Sequence, residues 1–303
     1  MNANLLAPEI EYGQRSSLTL EAYPRQPAAS KPKDQRSESR AGNVLRGLDQ
    51  LSRTRPHLYR TRILTGGHRK ASQISRYVFE GDQSGESPIR IGIFAGLREN
   101  DEVGPEAVSA FLADLVALPH LGSGLRIYAY PIVSATSFEV ATSSSRSSQS
   151  IMNHIGCQIP SSEAYQIERE IFAIAFDGII TIHLEEEIKT FQVGISDARL
   201  HDTLVRPILS SLEPFLPNVE DSVFDTRRSL TTGVPLERRP SELALRVPSL
   251  CWSGLSALGL RIALHTAVDC YRSYVTQNKT NQHSRPKLNH TGLLASLSNH
   301  LVF

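Results

Sequence analysis

Cysteine is scarce in this sequence: Cys157, Cys251 and Cys270 are the only three, and no two of them form a CxxC pair. An odd, unpaired set argues against a disulfide scaffold and for a reducing, intracellular setting. Long apolar runs are missing as well. The longest charge-free stretch, VPSLCWSGLSALGL (247–260), is too short and too rich in serine to span a bilayer. Neither sign of charge is in excess, with 32 Lys and Arg against 31 Asp and Glu and a net charge of +1. Bulk charge therefore gives no case for nucleic acid or an acidic membrane surface. The N-terminal segment MNANLLAPEIEYGQRSS has neither a basic nor an apolar region of the kind a signal peptide needs, so a soluble, cytoplasmic protein is expected. On that expectation the N-x-T sequons at Asn278 and Asn289 are chance matches. Several catalytic signatures are also lacking. Residues 143–150, SSSRSSQS, hold no G-x-S-x-G elbow, and no Walker A or GxGxxG follows a strand-like run.

What remains is a chain of 303 residues, 40% hydrophobic, which is enough for one sizeable core. Residues 1–40 carry Pro8, Pro24, Pro27 and Pro32 and a polar run, and read as a disordered or loosely docked arm. Val44, Leu45, Leu48 and Leu51 recur at helical spacing over 43–53. From 53 to 76 the chain is basic (Arg53, Arg55, Arg60, Arg62, Arg69, Lys70, Arg76) but poor in interleaved aromatics, so a solvated face is expected rather than a nucleic-acid patch. Strand-like IRIGIFAG (89–96), LRIYAYPIV (125–133) and DGIITIHL (177–184) then alternate with helical patterns over 104–118, 161–176 and 254–275. That alternation predicts an α/β fold with a mixed, largely parallel central sheet flanked by helices. The α/β domain is expected over 41–276, with a polar tail over 277–303 that has a short apolar segment at its end.

In open α/β sheets the functional crevice lies beyond the carboxyl ends of the strands. Three segments converge there: 96–104, 134–156 and 183–194. Over roughly residues 60–276 their order and spacing resemble the zinc carboxypeptidase superfamily, and in particular its succinylglutamate desuccinylase/aspartoacylase-like members. The family motif G-x-H-G-x-E-x-x-G corresponds to Gly96-Leu97-Arg98-Glu99-Asn100-Asp101-Glu102-Val103-Gly104, followed by Pro105. The resemblance places Arg98 at the histidine ligand and Asp101 at the glutamate ligand. The block N-P-x-G-F-E, then a basic residue, then D-L-N-R, is kept in 134–154 as Phe138-Glu139 and Asn153, with Ile151 for the aspartate and His154 for the arginine. The signature fDGiisLH is preserved as Phe176 to Leu184, which makes His183 the counterpart of the third zinc ligand. In ELALRVPSL (242–250), Arg246 falls at the position of the catalytic glutamate.

These departures bear directly on the chemistry. Zinc hydrolysis needs N, S or O ligands that can donate electron pairs and an open position for water. Arginine stays protonated and offers only donors. The favoured expectation is therefore a carboxypeptidase-like protein without zinc hydrolysis and without a cofactor. Its crevice, lined by Arg98, Asn153, His154 and Arg246, would take a small anionic molecule or a peptide carboxylate. In this reading Arg98 pairs with Asp101, and His183 packs nearby. Blander roles stay open: Asp101 as a charge at a helix start, His183 as a packed histidine, the glutamates 185–187 as a solvated acidic loop, and Gly96 and Gly104 as a sharp turn and a close helix entry. The alternative is an active zinc-dependent amide hydrolase using Asp101, His183 and a third ligand from His154, His68 or 185–187. A third reading is an interaction protein whose arm and basic segment bind an unknown partner.

Overall fold

The computed structural model describes residues 40–65, 72–83, 87–97, 101–133, 162–216, 218–226, 229–231, 233–249 and 253–284. The arm expected over 1–40 lies outside them except for its last residue. Helix α1 (Arg40–Thr54) turns Leu45 and Leu48 into the core. It leads into an antiparallel hairpin, β1 (Leu58–Thr65) and β2 (Ser72–Glu80). Of the described residues of the basic stretch, Arg53, Arg55 and Arg62 are exposed, as a solvated face requires, whereas Arg60 and Arg76 are half-buried. Arg60 bonds Asp49 of α1, while Arg76 pairs with Glu170 and lies 5.8 Å from the centre of the Tyr128 ring.

The alternating core follows. It comprises β3 (Ile89–Phe94), α2 (Val103–Ala117), β4 (Leu125–Tyr130), α3 (Ser162–Ile174), β5 (Gly178–Glu185), β6 (Phe191–Ile195), a π-turn leading into α4 (Arg206–Leu212), β7 (Val219–Asp221), β8 (Ser241–Pro248) and α5 (Ser253–Ser284). The eight strands form one sheet in the order β1-β2-β4-β3-β5-β8-β6-β7. Strands β4, β3, β5 and β8 are mutually parallel, and antiparallel pairs join β1, β2 and β6 to that block. This is the mixed, largely parallel sheet that the sequence predicts. Helix α5 begins where expected but runs nine residues past Val275 to Ser284, so the first part of the polar tail continues a helix.

One face of the sheet packs Ile180, Ile182, Leu245 and Val247 against α1, α2, α4 and α5. The other packs Phe94, Tyr130 and Ile179 against α3 through Ala164, Ile167 and Ile171. The Phe176-Asp177-Gly178 segment ties these layers together. Phe176 meets Phe94 edge-on at 6.1 Å. The Asp177 carboxylate accepts the Arg90 N–H at 2.8 Å and fixes the start of β3 beside β5. A Cβ on Gly178 would stand 2.5 Å from the Tyr271 ring, whose hydroxyl donates to the carbonyls of Ile179 and Ser241. Glycine there is what allows α5 to lie against the sheet. No helix among the described residues is long and apolar enough to cross a membrane.

Candidate functional site

The carboxyl ends of β3, β5 and β8 sit side by side. After β3 the chain turns at Gly96, whose φ of 59° lies in the left-handed region. A Cβ there would stand 2.7 Å from the Pro131 carbonyl oxygen, so glycine meets both the conformation and the close approach. Arg98 lies outside the described residues, and with it the proposed Arg98–Asp101 pair. Asn153, His154 and His68 lie outside them as well.

Asp101 is 1% exposed, and its Oδ1 accepts the backbone N–H of Gly104 at 3.0 Å. Gly104 makes room for it, since a Cβ would stand 3.0 and 3.1 Å from the two carboxylate oxygens. Asp101 therefore serves the first turn of α2, where an acceptor meets unsatisfied N–H groups and the positive end of the helix dipole.

His183 is buried on β5 and has Arg246 of β8 as its register partner. Arg246 is in turn the register partner of Gln192 on β6. The alternate residues Ile182, Leu184, Leu245, Val247, Phe191 and Val193 belong to the core on the α5 side. His183, Arg246 and Gln192 therefore form a row across three strands on the α3 side of the sheet. Glu185 stands one row further on, with Oε1 3.7 Å from Arg246 Nε and only 8% of its side chain exposed. Glu186 and Glu187 are exposed, but Glu185 is buried strand, which corrects the reading of all three as a solvated loop. Sequence reasoning missed Gln192 and the role of Glu185. Alternation along β5 from Thr181 through His183 would have reached Glu185, whereas Gln192 depends on a long-range register.

Another buried carboxyl, on Glu242, lies at the opposite end of β8. It accepts the Ser229 hydroxyl at 2.7 Å and the Leu230 N–H at 3.2 Å, which fastens residues 229–231 to the sheet. Burial pushes its pKa up, and the hydrogen bonds from Ser229, Leu230, Thr231 and Thr181 offset that only in part. On that side too, the His201 imidazole meets the Asp221 carboxylate at 2.7 Å.

Among solved structures, a metallo-carboxypeptidase from Burkholderia cenocepacia superposes with a TM-score of 0.60 at 13% identity, over 78% of this chain and 69% of the other. A metallopeptidase from Shewanella denitrificans gives 0.56 at 16% identity, over 77% and 91%. A metallo-carboxypeptidase from Pseudomonas aeruginosa, in complex with (2-guanidinoethylmercapto)succinic acid, gives 0.56 at 14% identity, over 77% and 70%. The chain has the metallocarboxypeptidase fold. No protein-family model and no curated protein matches the sequence.

The carboxypeptidase fold raises the question of zinc, and the described residues hold only part of the candidate ligand set. Asp101 and His183 are the two candidate ligands, and Asp101 already serves α2 with one oxygen. Arg246, the register partner of His183, brings a fixed positive charge into the same row of the sheet. The Glu185 carboxylate stands 3.7 Å from that charge. Among the described residues no group of three or more His, Cys, Asp or Glu is placed to hold a metal ion.

Proposed function

We propose that this carboxypeptidase-fold protein does not carry out zinc-dependent hydrolysis, and that it holds a small anionic molecule or a peptide carboxylate in an arginine-lined crevice. One observation carries the reading: Arg246 stands in register beside His183 at the carboxyl end of the sheet. By the sequence resemblance this is the place of the catalytic glutamate. A guanidinium there removes the general base and repels the metal that would activate water. The same group suits a carboxylate, which it can bind through two parallel N–H···O bonds. The Pseudomonas aeruginosa protein of the same fold, bound to a succinic acid derivative, supports carboxylate as the ligand chemistry.

The test is to purify the full chain without chelators, measure zinc by elemental analysis, and assay amino-acid release from N-acyl amino acids and peptides with and without added zinc. The expected result is no stoichiometric zinc and no metal-stimulated release. One zinc per chain, with both metal and activity lost in His183→Ala, overturns the proposal in favour of a hydrolase whose ligand set includes Asp101 and His183.

A further inference from the structure

Strand β1 ends the sheet: β2 lies on one side of it, and no strand among the described residues lies on the other. Its register with β2, and the bond from the Glu80 N–H to the His57 carbonyl at 2.9 Å, fix which backbone groups point outward. Along an antiparallel pair, opposed residues alternate between exchanging both hydrogen bonds and exchanging none. His57 and Glu80 are of the first kind. Tyr59, Thr61 and Ile63 therefore bond to β2, whereas Leu58, Arg60, Arg62 and Leu64 turn their N–H and C=O groups to the open side. Leu58 donates to the Arg55 carbonyl at 3.4 Å. The backbone groups of Arg60, Arg62 and Leu64 make no hydrogen bond among the described residues. Such an edge is a template for one more strand.

The side chains select which strand fits. Leu58 packs in the core on the α1 side and Ile63 in the core on the α3 side, so Arg60, Arg62 and Leu64 share the α1 side. Arg60 is held by Asp49 at 2.6 Å and by Ser75 at 2.7 Å. Arg62 is exposed and in no ion pair among the described residues, and Leu64 is 63% exposed. Arg53 and Arg55, where α1 leads into β1, add two exposed positive charges. A second copy of the chain fits poorly. Antiparallel self-pairing that uses all three outward residues sets Arg62 against its own counterpart, and like charges directly opposite are destabilising. An acidic strand fits well, with a carboxylate opposite Arg62 and an apolar side chain opposite Leu64, two residues apart and so on one face.

We infer that the β1 edge is a docking site for an extended acidic segment of a partner protein, which adds to the sheet as an antiparallel strand. Its backbone pairs with Arg60, Arg62 and Leu64, and its alternate acidic side chains face the arginines.

The probe is a capped, dye-labelled peptide, Thr-Val-Thr-Glu-Thr-Glu-Thr, titrated against the full chain by fluorescence anisotropy. Saturable binding is expected, about tenfold tighter than for the peptide with Lys in place of both Glu. Arg62→Glu is expected to reverse that preference. N-methylation of the Val and the two Glu removes the N–H groups that would face β1 and should abolish binding. N-methylation of the Thr residues between them should leave it intact. Circular dichroism melts check that the variant is folded, and the peptide series on the unaltered chain stands independently of it. No saturable binding, or equal binding of the two methylated peptides, overturns strand addition. Equal binding of the Glu and Lys peptides overturns the acidic partner. A dimer in sedimentation that the acidic peptide breaks up assigns the edge to a second copy and overturns the inference as well. None of these readouts depends on zinc or on the crevice at the carboxyl ends of the strands.

Discussion

Gly178→Ala should be among the most damaging small substitutions in this protein. The new methyl would stand 2.5, 2.7 and 2.8 Å from three carbons of the Tyr271 ring, where ordinary contacts need about 3.5–4.0 Å. Tyr271 is 1% exposed, so the ring cannot swing into solvent. It must move by about 1 Å within a packed core, which typically costs about 1–3 kcal/mol. The move also strains the hydrogen bond that its single O–H shares between the carbonyls of Ser241 at 3.0 Å and Ile179 at 3.3 Å, worth about 1 kcal/mol. Alanine returns about 0.4–1 kcal/mol through the unfolded chain. The net expectation is a loss of about 2–3 kcal/mol, or a drop in Tm of roughly 4–12 °C for a domain of this size. Thermal and urea melts followed by circular dichroism measure it. Tyr271→Leu in the same chain should make the double variant less destabilised than the sum of the two single ones, because the clash is shared. A Tm within a degree of the parent, or strict additivity of the pair, would refute the packing argument.

Two titrations follow from the other buried and paired groups. The raised pKa of Glu242 means that folding favours its protonated form. The associated stability is fully present below the unfolded value of about 4.3 and is lost as pH rises through the folded value. Glu242→Gln should therefore gain in urea midpoint relative to the parent as pH rises from 4.5 to 8, and a constant difference would contradict this. The hydrogen bond from His201 to Asp221 holds the imidazole pKa above the usual 6.5 despite some desolvation, with Asp202 adding to the effect. A proton NMR titration should show His201 losing its proton later than a free histidine, and Asp221→Asn should bring it back down. An unmoved titration in that variant counts against the pairing.

The parts of the fold that could be read from sequence are those whose residues act locally. β3, β4 and β5 are near-continuous apolar runs because both of their faces are covered. The hairpin β1–β2 was hidden because Arg60, Arg62 and Arg76 alternate with its apolar residues and dominate its composition. β7 is three residues with no apolar pattern, so only its pairing with β6 reveals it. The last nine residues of α5 have no apolar stripe; they extend a helix already nucleated by packing against the sheet. At the site, His183 could be placed because it ends a clear strand. Arg246 could be placed only through the family resemblance. Its proximity to Gln192 follows from the β6–β8 register, which joins segments about fifty residues apart and leaves no trace in either one.

The charge contact on β5 and β8 also bears on how this chain could change over time. Placing a glutamate at position 246 by one substitution would set a second carboxylate close to Glu185, which now stands 3.7 Å from the guanidinium. Two like charges at that spacing in a poorly solvated place repel strongly, so one of them would have to take up a proton and could no longer act as a base. Replacing Glu185 first would instead strip Arg246 of the counter-charge 3.7 Å away. Each single step is expected to lower stability, and a paired exchange to lower it less. The charges at positions 185 and 246 are therefore coupled, so that a change at one alters what the other tolerates.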